Sequence, residues 1–277
     1  IQLYLRSNKM SVKDMSYRER GILISLVAHQ CYCTPEKLLE ARPGIKSLDP
    51  IKKFLNKPLP PTYIDVEGAQ AYVLSDATDV IIACRGTEPT QLNDVMADLK
   101  MFPVKHHLGG RVHRGFYAEY DKVIPGIKEA LAKHNKKGTK TIWVTGHSLG
   151  GAMAVLVAAE LQPNGGLHTF GQPRVGNAEF LKSLDGIKYY RYRNNNDIVT
   201  AVPPSWLFFR HGGILRYINT YGNIRIATWS QRFKDKCRGY WQALKSFNLI
   251  DGFADHNMGA YHEFISNMDD NGDQLPK

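Results

Sequence analysis

The chain has 277 residues, 43% of them hydrophobic and 22% charged, with 36 Lys and Arg against 26 Asp and Glu for a net charge of +10 at pH 7. These values exclude a disordered chain and a small scaffold dependent on staples, and leave room for one large α/β domain with a pocket. The positive residues are scattered in short clusters such as Lys133, Lys136, Lys137 and Lys140, with no arginine-rich arm and no nucleic-acid-binding motif, so no nucleic acid is expected as a partner and the charge reads mainly as a solubility face.

In chain order, the N-terminus carries no secretory signal. The chain starts at Ile1, so a removed signal is compatible with it, and secreted and cytoplasmic locations both stay open. Ser16 caps a helix that begins in SYRER and continues through GILISLVA, a run too short to span a membrane. Helical character is expected to about residue 40, with a break near Pro43 and Gly44. Residues 49–62, proline-rich and basic, read as a surface crossing. AQAYVLS and DVIIACRG are two strands joined in a hairpin by DATD. TQLNDVMADL spaces Leu92, Val95, Met96 and Leu99 as one face of a helix. Residues 114–135 form a long amphipathic helix dented by Pro125.

TIWVTG, short and β-branched, is a buried strand, and LGGAMAVLVAAEL is the helix after it. LHTFGQPRVGN is strand then turn, NAEFLKSL helical, IKYYRYRN a strand, NNDIVTAVPP a loop, and ILRYINTYGNIRIA a further β segment. Helices are expected at 231–249 and 257–267. Strands alternating with helices indicate an α/β sheet with helical cover, in one domain spanning 1–277. Cys31, Cys33, Cys84 and Cys237 show neither a CxxC pair nor a zinc spacing, so no disulfide framework and no metal site are expected.

Gly146-His147-Ser148-Leu149-Gly150 is a G-x-S-x-G between a strand and a helix, the context a nucleophile elbow requires. Glycine on both sides relieves a crowded turn, and Gly151, Ala152 and Ala154 let the helix pass close to the sheet. The competing reading is a serine that only caps the helix, which has no need of two glycines. A nucleophilic serine needs a histidine base and a carboxylate that orients it, in the order serine, acid, histidine. Asp197, in the loop after a strand, is favoured for the acid over Asp185, whose Asp-Gly reads as an ordinary turn. The base is His256, His262 or His211, with His256 favoured because its loop enters the last helix; His147 is read as orienting the elbow. For the oxyanion, the backbone N–H of Leu149 and that of Thr87, at the end of IIACRGT, are the candidate donors, with the Thr87 hydroxyl beside them.

Taken together, VIIACRGT, VHRGF, VTGHSLGGAMA, TFGQPRVGN, YRNNNDIVTAVPP and DHNMGAY, in that order from about residue 70 to 265, resemble the class 3 lipases, the fungal-lipase-like group of the α/β-hydrolase fold. The resemblance implies a central, mostly parallel β-sheet flanked by helices, with Ser148, Asp197 and His256 as triad and Thr87 and Leu149 as oxyanion donors. It implies FRHGG around His211 as a structural element, and a short helical lid at 88–99 whose apolar face is Leu92, Val95, Met96 and Leu99. Trp206, Leu207, Phe208 and Phe209 in PPSWLFF supply either pocket and interface hydrophobes or core packing. Two departures stand out: Cys84 occupies a position where the family often has an aromatic residue, and the first sixty residues match only loosely.

The expected activity is that of a serine lipase cleaving acylglycerol esters through an acyl-enzyme, without metal or organic cofactor. A transient lipid–water interface, anionic for preference, is the expected partner, and the protein is expected to be a monomer. Phospholipase A and soluble or feruloyl-type carboxylesterase activities are the alternatives within the class. A catalytically silent lipase-like binding module is the alternative outside it.

Overall fold

Asp76 sets the first corner of the sheet: its Oδ1 accepts the backbone N–H groups of Thr78 and Asp79, both at 2.8 Å. This corner joins the last two strands of an antiparallel ladder, β1 (Thr62–Val66), β2 (Ala69–Ser75) and β3 (Asp79–Cys84). The computed structural model describes residues 10–43, 45–56, 59–86, 102–219, 221–225, 231 and 255–268. The candidate lid at 88–99, Thr87, Cys237 and nearly all of the helix expected at 231–249 lie outside the described residues.

After a two-stranded ribbon of β4 (Pro103–Lys105) and β5 (Arg111–His113), the chain returns to the sheet with β6 (Thr141–His147), β7 (Gly166–Phe170), β8 (Tyr189–Asn194) and β9 (Ile214–Ile218). These run parallel to β3 and to one another, and β10 (Ile224–Arg225) closes the far edge antiparallel. Among the described residues the sheet has eight strands in the order β1-β2-β3-β6-β7-β8-β9-β10. Its middle strands are apolar on both faces, as a sheet covered on both sides requires. In β3, Val80, Ile82 and Cys84 point into one core and Ile81 and Ala83 into the other.

The helices divide between those two cores. On one face lie α1 (Tyr17–Gln30) and α2 (Lys52–Asn56), together with the last helix described below; on the other lie α3 (Arg114–His134), α4 (Leu149–Leu161) and α5 (Ala178–Leu181). The last helix, α6 (Met258–Ser266), packs Tyr261 and Ile265 into the core shared with α1. Ser16 caps α1 in a capping box: its hydroxyl accepts the Glu19 N–H and the Glu19 carboxylate accepts the Ser16 N–H. Pro125 lies within α3, which continues through it with the proline on the exposed side. No helix among the described residues is long and apolar enough to cross a membrane.

Three segments differ from the sequence reading. Residues 49–62 do not simply cross the surface. A turn at Asp49–Ile51 leads into α2, and Ile51, Phe54 and Leu55 are buried, with Pro50 tolerated in the first turn. TYIDV continues directly as β1. The ribbon of β4 and β5 departs from the sequence reading, and between α1 and residue 43 helical structure is limited to a short turn at Pro35–Lys37. Cys31 and Cys84 are buried and Cys33 is half-buried.

Candidate active site

Between β6 and α4 the chain turns through a single residue, Ser148, at φ +58° and ψ −129°. A non-glycine residue there is strained, at a cost of order 1–2 kcal/mol, and such strain is retained mainly at functional turns. The flanking glycines follow from contact. A Cβ at Gly146 would fall on the Gly150 carbonyl, and one at Gly150 would fall on the Cys84 carbonyl. The Ser148 N–H donates to the Phe170 carbonyl at 3.0 Å and its carbonyl accepts the Ala152 N–H at 3.2 Å. Its side chain makes no capping hydrogen bond, which rejects the reading of Ser148 as a mere helix cap. Oγ is buried, without a hydrogen-bond partner among the described residues, and the residue is only 1% exposed.

Asp197 follows β8 by three residues and is fully buried. His256 Nδ1 lies 2.9 Å from its Oδ2 and 3.0 Å from its Oδ1. The carboxylate also accepts the Val199 N–H at 2.9 Å and the Tyr261 hydroxyl at 2.6 Å. With Nδ1–H donated to the acid, His256 Nε2 is the acceptor nitrogen, and it too is buried without a partner among the described residues. Gly171, at φ +56°, packs under this pair: a Cβ there would stand 2.8 Å from Asp197 Oδ2 and 2.9 Å from the His256 ring. Since Gly171 follows Phe170, whose carbonyl holds the Ser148 N–H, serine, acid and histidine gather at the C-terminal ends of the interior strands β6, β7 and β8.

His147 ties these loops together. Its Nε2 donates to the His256 carbonyl at 2.7 Å, so its Nδ1 accepts from the Tyr32 hydroxyl at 2.8 Å. Burial, reinforced by the neighbouring His256, holds the His147 imidazole well below its usual pKa, which keeps this neutral tautomer. Asp255 fastens the base loop to the acid loop through the Asn196 N–H at 2.9 Å and, by its carbonyl, the Asn194 amide at 3.0 Å.

The rival residues lie elsewhere. His262 Nδ1 pairs with the Ser25 hydroxyl at 2.8 Å, and burial lowers its pKa to about 4. His211 Nε2 donates to the Thr200 carbonyl at 2.8 Å, and Asp185 is an exposed helix-end residue. Leu149 opens α4, where backbone N–H groups have no partner within the helix. Of the suggested pocket residues, Leu92, Val95, Met96 and Leu99 lie outside the described residues. Trp206 and Phe208 are 74% and 76% exposed, Leu207 is half-buried and Pro203 and Phe209 are buried, so PPSWLFF is an exposed turn anchored at both ends. Sequence reasoning missed Tyr261 and Gly171. Within NMGAYHEF, Tyr261 looks like any core aromatic, and Gly171 like any turn glycine.

The parallel sheet, the strained serine turn and the acid and histidine on later strand ends define an α/β-hydrolase fold. Residues 81–206 match the family described as lipase (class 3). The chain is 35% identical over 184 residues to a lipase of Rhizopus niveus, covering 59% of this chain and 45% of that one. It is 34% identical over 208 residues to a secreted mono- and diacylglycerol lipase of Malassezia globosa, covering 69% and 66% respectively. The solved triacylglyceride lipase of Rhizomucor miehei superposes with a TM-score of 0.60 at 27% identity, over 72% of this chain and 78% of that one. The chain belongs to the class 3 lipase family. It spans about half the length of the Rhizopus relatives, 45% of each.

Proposed function

We propose that this protein hydrolyses carboxylic esters of acylglycerols, as a single catalytic domain, through an acyl-enzyme on Ser148. The observation that carries the reading is the buried His256–Asp197 pair resting on Gly171, next to the residue that holds the strained Ser148 backbone. His256 Nε2 takes the Ser148 proton as Oγ attacks the ester carbonyl, and Asp197 holds the imidazole and stabilises its charged form. The Leu149 N–H and the Thr87 N–H receive the oxyanion. His256 then protonates the leaving alcohol, and water activated by the same base releases the fatty acid. The names of the relatives from Rhizopus, Malassezia and Rhizomucor support a lipid ester substrate, and the secreted relative supports action outside the cell.

Initial rates on p-nitrophenyl butyrate, p-nitrophenyl palmitate, emulsified triacylglycerol and anionic phospholipid, beside Ser148→Ala, test the proposal. The expected result is turnover of long-chain acylglycerol esters and a loss of roughly 10³-fold or more in the variant. A folded wild type as inert as the variant would overturn it. Faster turnover of phospholipid than of acylglycerol would replace the substrate and keep the mechanism.

A further inference from the structure

Trp206 and Phe208 each leave about three quarters of their surface in water, 74% and 76%, two positions apart on the same short turn. Phe208 does so at φ +68°, a left-handed conformation disfavoured for an aromatic residue. The turn is firmly held. Phe209 is buried beside the His113 ring, the Arg210 N–H donates to the Gly176 carbonyl at 2.8 Å, and the Arg210 guanidinium donates to the Ser205 and Phe209 carbonyls. Arg174 secures the preceding loop through the Pro203 carbonyl at 2.9 Å. Two large rings are therefore displayed by a braced loop that has an inward anchor of its own.

The surroundings are cationic. Gly176 bridges both Val112 and Arg210, which sets the turn alongside β5. That neighbourhood carries exposed Arg111, Arg114 and Arg210 and half-buried Arg174, along with Phe102, which is 70% exposed and whose carbonyl accepts the Arg114 N–H. Residues 102–118, 171–177 and 198–218, the stretches that build this face, contain no Asp or Glu. Burial, with Arg193 and Arg210 close by, lowers the Arg174 pKa. The turn follows Asp197 by eight residues in the chain.

We propose that this braced turn is a fixed anchor for anionic lipid surfaces. Trp206 and Phe208 enter the headgroup–acyl boundary, and Arg210 with Arg111 and Arg114 meets the phosphates above them. Tryptophan suits that boundary because its ring is apolar at one end and donates a hydrogen bond at the other. The charge selects the surface: an anionic bilayer or droplet complements the exposed Arg111, Arg114 and Arg210, and a zwitterionic one gains only the aromatic contribution. The inference rests on the proposed function for its lipid partner, and docking itself needs no hydrolysis.

Cosedimentation with ether-linked phospholipid vesicles, which the enzyme cannot cleave, separates the two. Wild type, Trp206→Ser/Phe208→Ser and Arg111→Gln/Arg210→Gln are compared on phosphatidylcholine alone and on phosphatidylcholine mixed with phosphatidylglycerol, with thermal melts confirming that each variant is folded. The expected result is binding to the phosphatidylglycerol vesicles that falls with added salt and weakens at least about tenfold in each folded variant. Equal binding by wild type and the folded aromatic variant, equal binding to the two vesicle types, or no wild-type binding would each overturn the anchor. Vesicle binding by a protein inert on every ester would keep the anchor and discard the hydrolase reading. Ester hydrolysis without selective vesicle binding would do the reverse. Should the arginine variant unfold, the salt dependence of wild-type binding still decides the charge component.

Discussion

Tyr261 shows how one atom can serve two loops. Its hydroxyl donates to Asp197 at 2.6 Å and accepts the Asn194 N–H at 2.8 Å, and burial together with the Asp197 charge raises its pKa well above the usual value. The hydroxyl therefore stays protonated and draws on the same carboxylate that orients His256. Tyr261→Phe leaves the Asn194 N–H unpaired in a dry site, at a cost of about 1–3 kcal/mol of stability. It also leaves the Asp197 charge less shared, so the carboxylate stabilises the imidazolium more strongly. The acid limb of the kcat/KM profile should move to higher pH, with kcat falling more than KM changes. Parallel pH–rate profiles and melts check this; an unmoved profile with a lower Tm would reduce Tyr261 to a structural support. Nothing in the sequence separates this tyrosine from its core neighbours, because its role depends on a contact across 64 residues. Ser148 was legible for the opposite reason: its two glycines stand within five consecutive residues, and the clash relieved at Gly146 is with Gly150 itself.

At the scale of the element, β3 is held at its start by one carboxylate. Asp79 is fully buried and accepts from Trp143 Nε1 at 2.9 Å, the Val12 N–H at 3.0 Å, the Ser11 hydroxyl at 3.0 Å and the Thr78 hydroxyl at 2.7 Å. This network fastens the N-terminal segment and β6 to β3 at the end away from Ser148, about 20 Å along β6 at about 3.3 Å per residue. Asp79→Ala strands several buried donors and should cost at least about 2 kcal/mol. Turnover per folded molecule should stay near that of wild type, as denaturant melts beside active-site titration would show. The strands around this anchor were readable because buried parallel strands are nearly continuous apolar runs between turn residues. β1 was not, since an edge strand needs only one apolar face, and TYIDV breaks its pattern with Asp65. α2 hid within a proline-rich stretch because two buried side chains, Phe54 and Leu55, on a five-residue helix make too short a period to recognise.

Across the whole molecule, the histidines set the response to acid. Burial lowers the pKa of His29, His106, His113, His134 and His262 to about 4 and that of His168 to about 3, from 6.5. The unfolded chain takes up these protons as pH falls through 6.5, and the folded chain refuses them until about pH 4. The stability they confer is therefore complete above pH 6.5 and lost progressively down to about 4, at up to about 1.4 kcal/mol per pH unit for each histidine. Denaturant melts across that window should show a steep decline in stability, and a flat profile would contradict the burial. Fold class and the order of the site residues were legible at this scale, because the alternation of strands and helices and the elbow each obey a local rule. The division of PPSWLFF into one buried and two exposed aromatics was not, since composition does not say which side of a turn faces water.

The buried ties around His147, Gly171 and Asp255 have a consequence for descent. Serine, acid and base come from distant stretches of chain, yet hydrogen bonds and close contacts beneath the surface lock them into one body. The rim at 203–210 is braced mainly through backbone carbonyls and a single inward phenylalanine. Its outward side chains can be exchanged without retuning the chemistry below. On the proposed function and docking surface, reaction and recognition are separately heritable: selection can redirect the protein to a new surface while the buried core passes on unchanged.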